Sequence, residues 1–359
     1  MATNRWPLFD YFPSLARSLN PIALCNGPTP VMHAQSLSEN AWIKCDDVCA
    51  EQYGGNKIRK LEFVFAEIKR SRAERVITFA PSGSNAAVAT AMVCQQQDID
   101  FDVYTFPQPN SASVCTNRAL IAHYQANVHP RSNFFSALSS WAFTLQRLNP
   151  KNYFMYPGCS QHSSVFAYVN AAIELGIQAE SGECAMPKDI VVATGSGTTV
   201  AGLSIGAALA LPGCTIHAVQ SARTSLGPID VCSLEGVKRF RQRAWKTLKH
   251  HSKKLSTRHN ENIVWHDSYL GGGYGADTLK SKFALERGKT IGLSLDPTYT
   301  GKSFAAFCDL LTKSDDTALF WNTHSSAPLP ENLKHAHLIR SGVPLTPNLS
   351  SADARAPRM

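Results

Sequence analysis

The chain of 359 residues is informative first for what it lacks. No apolar run reaches the length of a membrane-spanning helix. The opening residues, Met1-Ala2-Thr3-Asn4-Arg5-Trp6-Pro7, lack the basic-then-apolar order of a secretory signal. These absences lead to the expectation of a cytoplasmic protein with no membrane partner. Ten cysteines are present without a single Cys-x-x-Cys pair, which excludes a zinc knuckle or redox dithiol of that spacing. The thiols are expected to be free and mostly buried, and no resident metal is expected. Charged residues make up 17% of the chain and hydrophobic residues 44%, the balance of a globular protein with a real core. The length allows two domains.

Acidic residues are missing from one stretch altogether. From Val237 to Asn260 the chain carries nine positive side chains (Lys238, Arg239, Arg241, Arg243, Lys246, Lys249, Lys253, Lys254 and Arg258) against a net charge of +8 for the whole. The remainder is therefore near neutral. A nucleic-acid patch is one reading, but the stretch is a single segment with one aromatic, Trp245, and matches no nucleic-acid-binding motif. A solvated helix face is the expectation, with no nucleic-acid partner.

What is present is an alternation of strand and helix. Arg75–Phe79, Phe101–Phe106, Asp189–Ala193 and Thr215–Gln220 read as strands. Ala86–Gln97, Ser113–Gln125 and Thr199–Leu211 read as helices. This order predicts parallel sheets with helices on both faces, and ligands then bind at the carboxyl ends of strands, in loops before helices. Three motifs fall at such places.

The first is Tyr53-Gly54-Gly55-Asn56-Lys57, a glycine turn leading into a helix with Ile58, Leu61, Phe65 and Ile68 on its apolar face and Glu62, Lys69 and Arg70 away from it. An amine at a helix start meets the positive end of the dipole, which disfavours its protonated form. A lysine so perturbed suits a Schiff base with a carbonyl cofactor, although a solvated lysine in a basic turn is the commoner local outcome. The second is Thr194-Gly195-Ser196-Gly197-Thr198-Thr199 after a buried strand. Glycines admit an anion to backbone N–H groups and the hydroxyls add donors, which makes a phosphate cradle. It is not a P-loop, since no Gly-Lys-Ser/Thr closes it. A dinucleotide fingerprint fails as well: Val200 stands where the third glycine belongs, and the next strand ends at Gln220 rather than an acid. A plain strand-to-helix turn is the alternative. The third motif, Ser82-Gly83-Ser84-Asn85, offers a serine to a substrate carboxylate and an asparagine amide to a phenolate oxygen, or simply caps a helix.

In this order the three motifs resemble the fold-type II, tryptophan-synthase-β-like pyridoxal-phosphate enzymes, and most of all the branch holding D-cysteine desulfhydrase and 1-aminocyclopropane-1-carboxylate deaminase. The likeness runs from about Thr29 to about Ser326 and includes Lys44-Cys45-Asp46-Asp47, Gly273-Tyr274-Gly275 and Asp296-Pro297-Thr298-Tyr299-Thr300-Gly301-Lys302. The resemblance implies a two-domain α/β fold of open, twisted, mostly parallel sheets. Residues 1–57 plus 168–340 would form the large cofactor domain, 58–167 the small domain, and 341–359 a disordered tail. It implies pyridoxal 5'-phosphate as cofactor, a small amino acid as substrate, and a homodimer. It implies Lys57 as the Schiff-base lysine and proton shuttle, Ser84 and Tyr274 facing substrate, Asn85 at the phenolate oxygen, and Thr194 to Thr199 around the phosphate. Tyr299 would lie near the pyridine ring and Thr323 at its nitrogen. The activity implied is a lyase or deaminase that removes the Cα proton and eliminates a β group. β-replacement, a cyclopropane deaminase and an inactive cofactor-binding sensor are the alternatives.

The chain departs from the branch around the substrate. Thr300 stands where the cyclopropane deaminases have glutamate. Ala86 replaces a polar residue, and His324-Ser325 replace a pair of glycines.

Overall fold

The computed structural model describes residues 5–252, 255 and 262–334. The expected tail, and Lys253, Lys254 and Arg258 of the basic stretch, lie outside them. Two short helices open the chain, α1 (Leu8–Tyr11) and α2 (Leu15–Leu19). Strands β1 (Val31–His33) and β2 (Ala41–Cys45) follow, then helix α3 (Asn56–Arg70). The next stretch holds β3 (Arg75–Pro81), α4 (Asn85–Gln96), β4 (Asp100–Phe106), α5 (Ala112–His123), β5 (Asn127–Pro130), α6 (Phe134–Ala142) and β6 (Asn152–Phe154). After α7 (Ser164–Glu180) come β7 (Asp189–Thr194), α8 (Thr198–Ala210) and β8 (Thr215–Gln220). A small hairpin of β9 (Ser225–Leu226) and β10 (Ile229–Asp230) leads to α9 (Leu234–His251) and β11 (Ile263–His266). The described chain closes with α10 (Leu279–Thr290), α11 (Thr300–Leu311), β12 (Ala318–Asn322) and α12 (Glu331–Lys334).

Ten of these strands form two main sheets. The larger has the order β1-β2-β12-β7-β8-β11 and the smaller β5-β4-β3-β6. Every neighbouring pair is parallel except β1 with β2. Alternation along the strands explains why both faces are covered. In β7, Ile190 and Val192 join the core under α7, α8 and α9, whereas Val191 joins the core with Phe304 and Phe307 of α11. The smaller sheet does the same, with Val76 and Val103 toward α3 and α4, and Ile77 and Phe79 toward Trp141 of α6.

Helices α7 and α8 run parallel, with small residues where they meet. A Cβ on Gly202 would sit 2.4 Å from the Val165 carbonyl oxygen, and one on Gly206 would sit 2.6 Å from Ala172 Cβ. No larger residue fits this contact.

Two expectations are corrected. Helix α3 is not amphipathic with one solvated face. Phe63 packs into the α7 core while Ile58, Leu61 and Phe65 pack into the α4 core, so the helix bridges the two sheets and Arg59, Lys60 and Glu62 are buried with it. Glu62 pays for its burial by accepting the backbone N–H groups of Leu24 and Cys25, each at 3.0 Å. The basic stretch is also not wholly a solvated face. Arg241 is 3% exposed, and its Nε donates to Ser204 Oγ at 2.7 Å.

Among the described residues no helix is long and apolar enough to cross a membrane. All ten cysteines are free, seven of them buried.

Candidate active site

The carboxyl ends of β2, β12, β7 and β8 share one edge of the larger sheet, at Cys45, Asn322, Thr194 and Gln220. The turn before Lys57, Thr323 and the glycine loop leave from that edge, which is how residues far apart in sequence are gathered. Gly55 has φ +89°, and a Cβ there would lie 2.6 Å from the Thr323 carbonyl oxygen. That oxygen accepts Asn56 N–H at 3.2 Å, and Asn56 Nδ2 reaches Thr199 Oγ1 at 3.4 Å. The start of α3 is thus pinned to both β12 and α8.

Lys57 Nζ donates to the Gly158 carbonyl at 3.3 Å. Gly158 has φ +69°, and a Cβ on it would be 3.3 Å from Ser196 Oγ and 3.8 Å from Lys57 Nζ. The amine and the loop hydroxyl therefore converge on one point, kept open by a glycine. Burial pushes the Lys57 ammonium down from its ordinary value. The dominant cause is burial, not the helix dipole expected from sequence. Lys60, one turn on, is lowered well below its ordinary value by its own burial and by Lys57.

The loop itself supplies a test of fit for a phosphate ester. The buried hydroxyls Thr194 Oγ1, Ser196 Oγ and Thr198 Oγ1 have no hydrogen-bond partner within the protein. Three unmet donors beside a helix start match a group with several anionic acceptor oxygens. Gly197 has φ +88°, and a Cβ on Gly195 would be 3.2 Å from Tyr299 Cε1. The Tyr299 ring lies against the loop, and its hydroxyl donates to the Tyr274 hydroxyl at 3.0 Å, with the rings inclined at 77°.

Across the site, Ser84 and Asn85 stand at the carboxyl end of β3. Ser84 Oγ accepts Ala87 N–H at 3.3 Å, so it does cap α4. Asn85 Oδ1 accepts the Tyr53 hydroxyl at 3.2 Å and Asn117 Nδ2 at 2.6 Å. With its oxygen turned to those donors, its NH₂ is turned away from them. The structure thus brings together Lys57, Thr194 to Thr199, Tyr299, Tyr274 and Thr323, and ties Asn85 to the Lys57 turn through Tyr53.

Sequence reasoning missed Asn117 and Gly158. It also missed the buried cluster under the turn. There Arg59 donates to Asp46 at 2.8 Å and to Glu174 at 2.8 and 2.9 Å, and Lys44 donates to Glu174 at 2.7 Å. Burial alone would raise Glu174, but Arg59 and Lys44 outweigh it and hold the carboxyl at about 2. The Lys44-Cys45-Asp46 and Arg59 segments were visible in the family likeness, but no local signal links them to Glu174. Asn322, beside Thr323, is fully buried with neither amide atom bonded, and His324 Nδ1 is buried without a partner.

The chain is similar to known proteins over most of its length. A D-cysteine desulfhydrase of Klebsiella pneumoniae is 27% identical over 325 residues, covering 86% of this chain and 94% of that protein. The bifunctional D-cysteine desulfhydrase/1-aminocyclopropane-1-carboxylate deaminase of Arabidopsis thaliana is 29% identical, covering 84% of this chain and 77% of that one. The crystal structure of an ACC deaminase homologue superposes with a TM-score of 0.73 at 24% identity, over 87% of this chain and 93% of that chain. Threonine deaminase isoform 2 of Solanum lycopersicum superposes at 0.61 with 12% identity, over 92% and 88%. The family model described as pyridoxal-phosphate dependent enzyme matches residues 22–323, and the chain belongs to that family.

Proposed function

We propose that the protein is a pyridoxal-phosphate-dependent lyase of D-cysteine desulfhydrase type. It acts on a small amino acid by removing the Cα proton and expelling a group from Cβ. The observation that carries this is the Lys57 amine. It is pushed toward its neutral form by burial, and it converges with the unpartnered Ser196 hydroxyl of the glycine loop on Gly158. When bound, the cofactor supplies an electron sink beside the Cα–H bond.

The chain's residues do the rest. The Thr194, Ser196 and Thr198 hydroxyls would hold the phosphate at the start of α8, and the Asn85 NH₂ would serve the phenolate oxygen. Thr323, a neutral hydroxyl residue, would serve the pyridine nitrogen without an aspartate-like charge. Tyr299 would pack near the ring, and Tyr274 and Ser84 would face the substrate. Lys57 Nζ takes the Cα proton. The electron pair of that bond becomes the Cα–Cβ double bond as the β group leaves with its own pair, and the released enamine hydrolyses to a keto acid and ammonia.

Thr300 supports elimination over cyclopropane opening. It is fully buried, and its Oγ1 accepts Asp296 N–H at 2.7 Å and donates to Asp296 Oδ1 at 2.8 Å. Its hydroxyl is spent on the turn before α11 and is not offered to a ligand.

We also place the small domain at residues 58–167 around the smaller sheet, and take the working form as a cytoplasmic homodimer. The test is an absorbance spectrum of the purified protein before and after adding D- and L-amino acids. A long-wavelength band that shifts with particular amino acids, together with keto acid release, is expected. A protein that gains no such band on adding pyridoxal phosphate would overturn the reading.

A further inference from the structure

We propose that the cleft at the far end of α3 is a second ligand site, built for a free amino acid with an aliphatic side chain. Lys57 lies in the first turn of α3, while Glu67 and Arg70 lie in its last. Ten residues separate Lys57 from Glu67, about 15 Å along the axis, so this cleft is not the catalytic one. It encloses about 240 Å³, room for roughly eight waters or a molecule of leucine size. Phe63, Phe166 and Leu15 form its apolar floor.

The rim is polar and carries both signs. Glu67 and Arg70 stand one turn apart on the same face of α3 and both line the cleft. Glu67 Oε2 accepts the Tyr153 hydroxyl at 2.6 Å, and Arg70 Nη2 is held by the carbonyls of Ser18 and Leu19. Each charge is thereby anchored through one atom. Among the described residues, the second carboxylate oxygen and the other guanidinium nitrogens have no hydrogen-bond partner. Ser163, 3% exposed, lines the cleft with its Oγ unpartnered. His162, whose Nε2 bonds Thr247 Oγ1 at 3.1 Å, has its Nδ1 unpartnered. Burial and Arg243 push the His162 ring down, so it adds hydrogen-bonding capacity rather than charge near neutral pH.

A simple anion meets Glu67, and a simple amine meets Arg70. A zwitterion satisfies both while its side chain covers the floor. The cleft also touches the loop that positions Lys57, since Ser163 follows Gly158 by five residues. The proposal needs only the folded chain and does not depend on the elimination reading.

The experiment is isothermal titration of the full chain, loaded with pyridoxal phosphate, with L-leucine. Leucine has no β leaving group and so is not consumed by elimination. Arg70→Gln and Thr247→Phe are titrated in parallel, both changes being at residues not deeply buried. Cofactor absorbance is followed throughout, to report separately on events at Lys57. The expected result is leucine binding that weakens about 10- to 100-fold in Arg70→Gln, as for loss of a charged hydrogen bond. It is abolished in Thr247→Phe, which fills the cleft, while the cofactor spectrum responds identically in all three proteins. 4-Methylpentanoate and 3-methylbutylamine, each lacking one charge, bind more weakly than leucine. Three results would overturn the proposal: no leucine binding, binding of equal strength in all three proteins, or 4-methylpentanoate binding as tightly as leucine.

Discussion

Asn117 Nδ2 donates to Asn85 Oδ1 at 2.6 Å and to the Gly83 carbonyl at 2.8 Å. One amide on α5 thereby fixes both the turn after β3 and the orientation of the Asn85 amide. Asn117→Ala leaves a buried carbonyl unmet, at a cost of about 1–3 kcal/mol. A lower melting temperature together with weaker pyridoxal-phosphate affinity is expected. A variant that melts lower but titrates with cofactor as the wild type does would limit Asn117 to a structural role.

Lys57→Ala removes the amine proposed to take the Cα proton. Turnover should fall by at least about 10²- to 10⁴-fold, the usual contribution of a positioned acid–base group. The long-wavelength cofactor band should be absent, while the fold, read by circular dichroism, is kept. Wild-type turnover in this variant would refute the proposed chemistry.

Gly158→Ala tests the convergence point. A non-glycine residue at φ +69° costs about 1–2 kcal/mol. The added methyl also stands 3.3 Å from Ser196 Oγ and 3.8 Å from Lys57 Nζ. Roughly tenfold weaker cofactor binding is expected, measured by equilibrium titration. Gly182→Ala serves as the control, since it shares the positive φ but has nothing within 4 Å.

Glu62 makes stability depend on pH. Burial pushes its carboxyl up to about 7. The folded state therefore holds a proton that the unfolded chain releases near pH 4.3. The resulting stabilisation is complete below pH 4.3 and is lost as pH rises through 7, by about 4 kcal/mol at most. Glu62→Gln keeps the acceptor for Leu24 and Cys25 and should flatten this decline. Denaturant melts at pH 5 and pH 8 check it. Equal slopes in the two proteins would place the proton elsewhere.

Arg59→Met leaves Asp46 buried without its cation and Glu174 with Lys44 alone. Breaking one partner of such a cluster costs about 3–5 kcal/mol. The expected outcome is a large drop in the denaturation midpoint, with cofactor retained in whatever remains folded.

The sequence showed the site where chemistry is local. The Gly54-Gly55-Asn56-Lys57 turn and the Thr194 to Thr199 loop are contiguous, so residue type and spacing expose them. Strands such as Thr215–Gln220 were legible for the same reason, since alternation and turn residues are neighbours in sequence. What stayed hidden depends on distant partners. Glu62 reads as a solvated position because periodicity sees one helix face, whereas α3 is buried against two sheets. Glu174 is 115 residues from Arg59, and Arg241 is 37 from Ser204, so nothing nearby marks either as an ion or hydrogen-bond partner. Gly158 escaped because a glycine in a loop gives no sign of what it must leave room for.

The glycine contact between α7 and α8 has a mechanical consequence. Both helices begin at the same end of their shared seam, one just after the Gly158 loop and the other at the phosphate loop. Because the seam admits no slip, the glycine loop at the start of α8 and the first turn of α7 move as one solid body. Any movement between the two sheets would leave that unit intact.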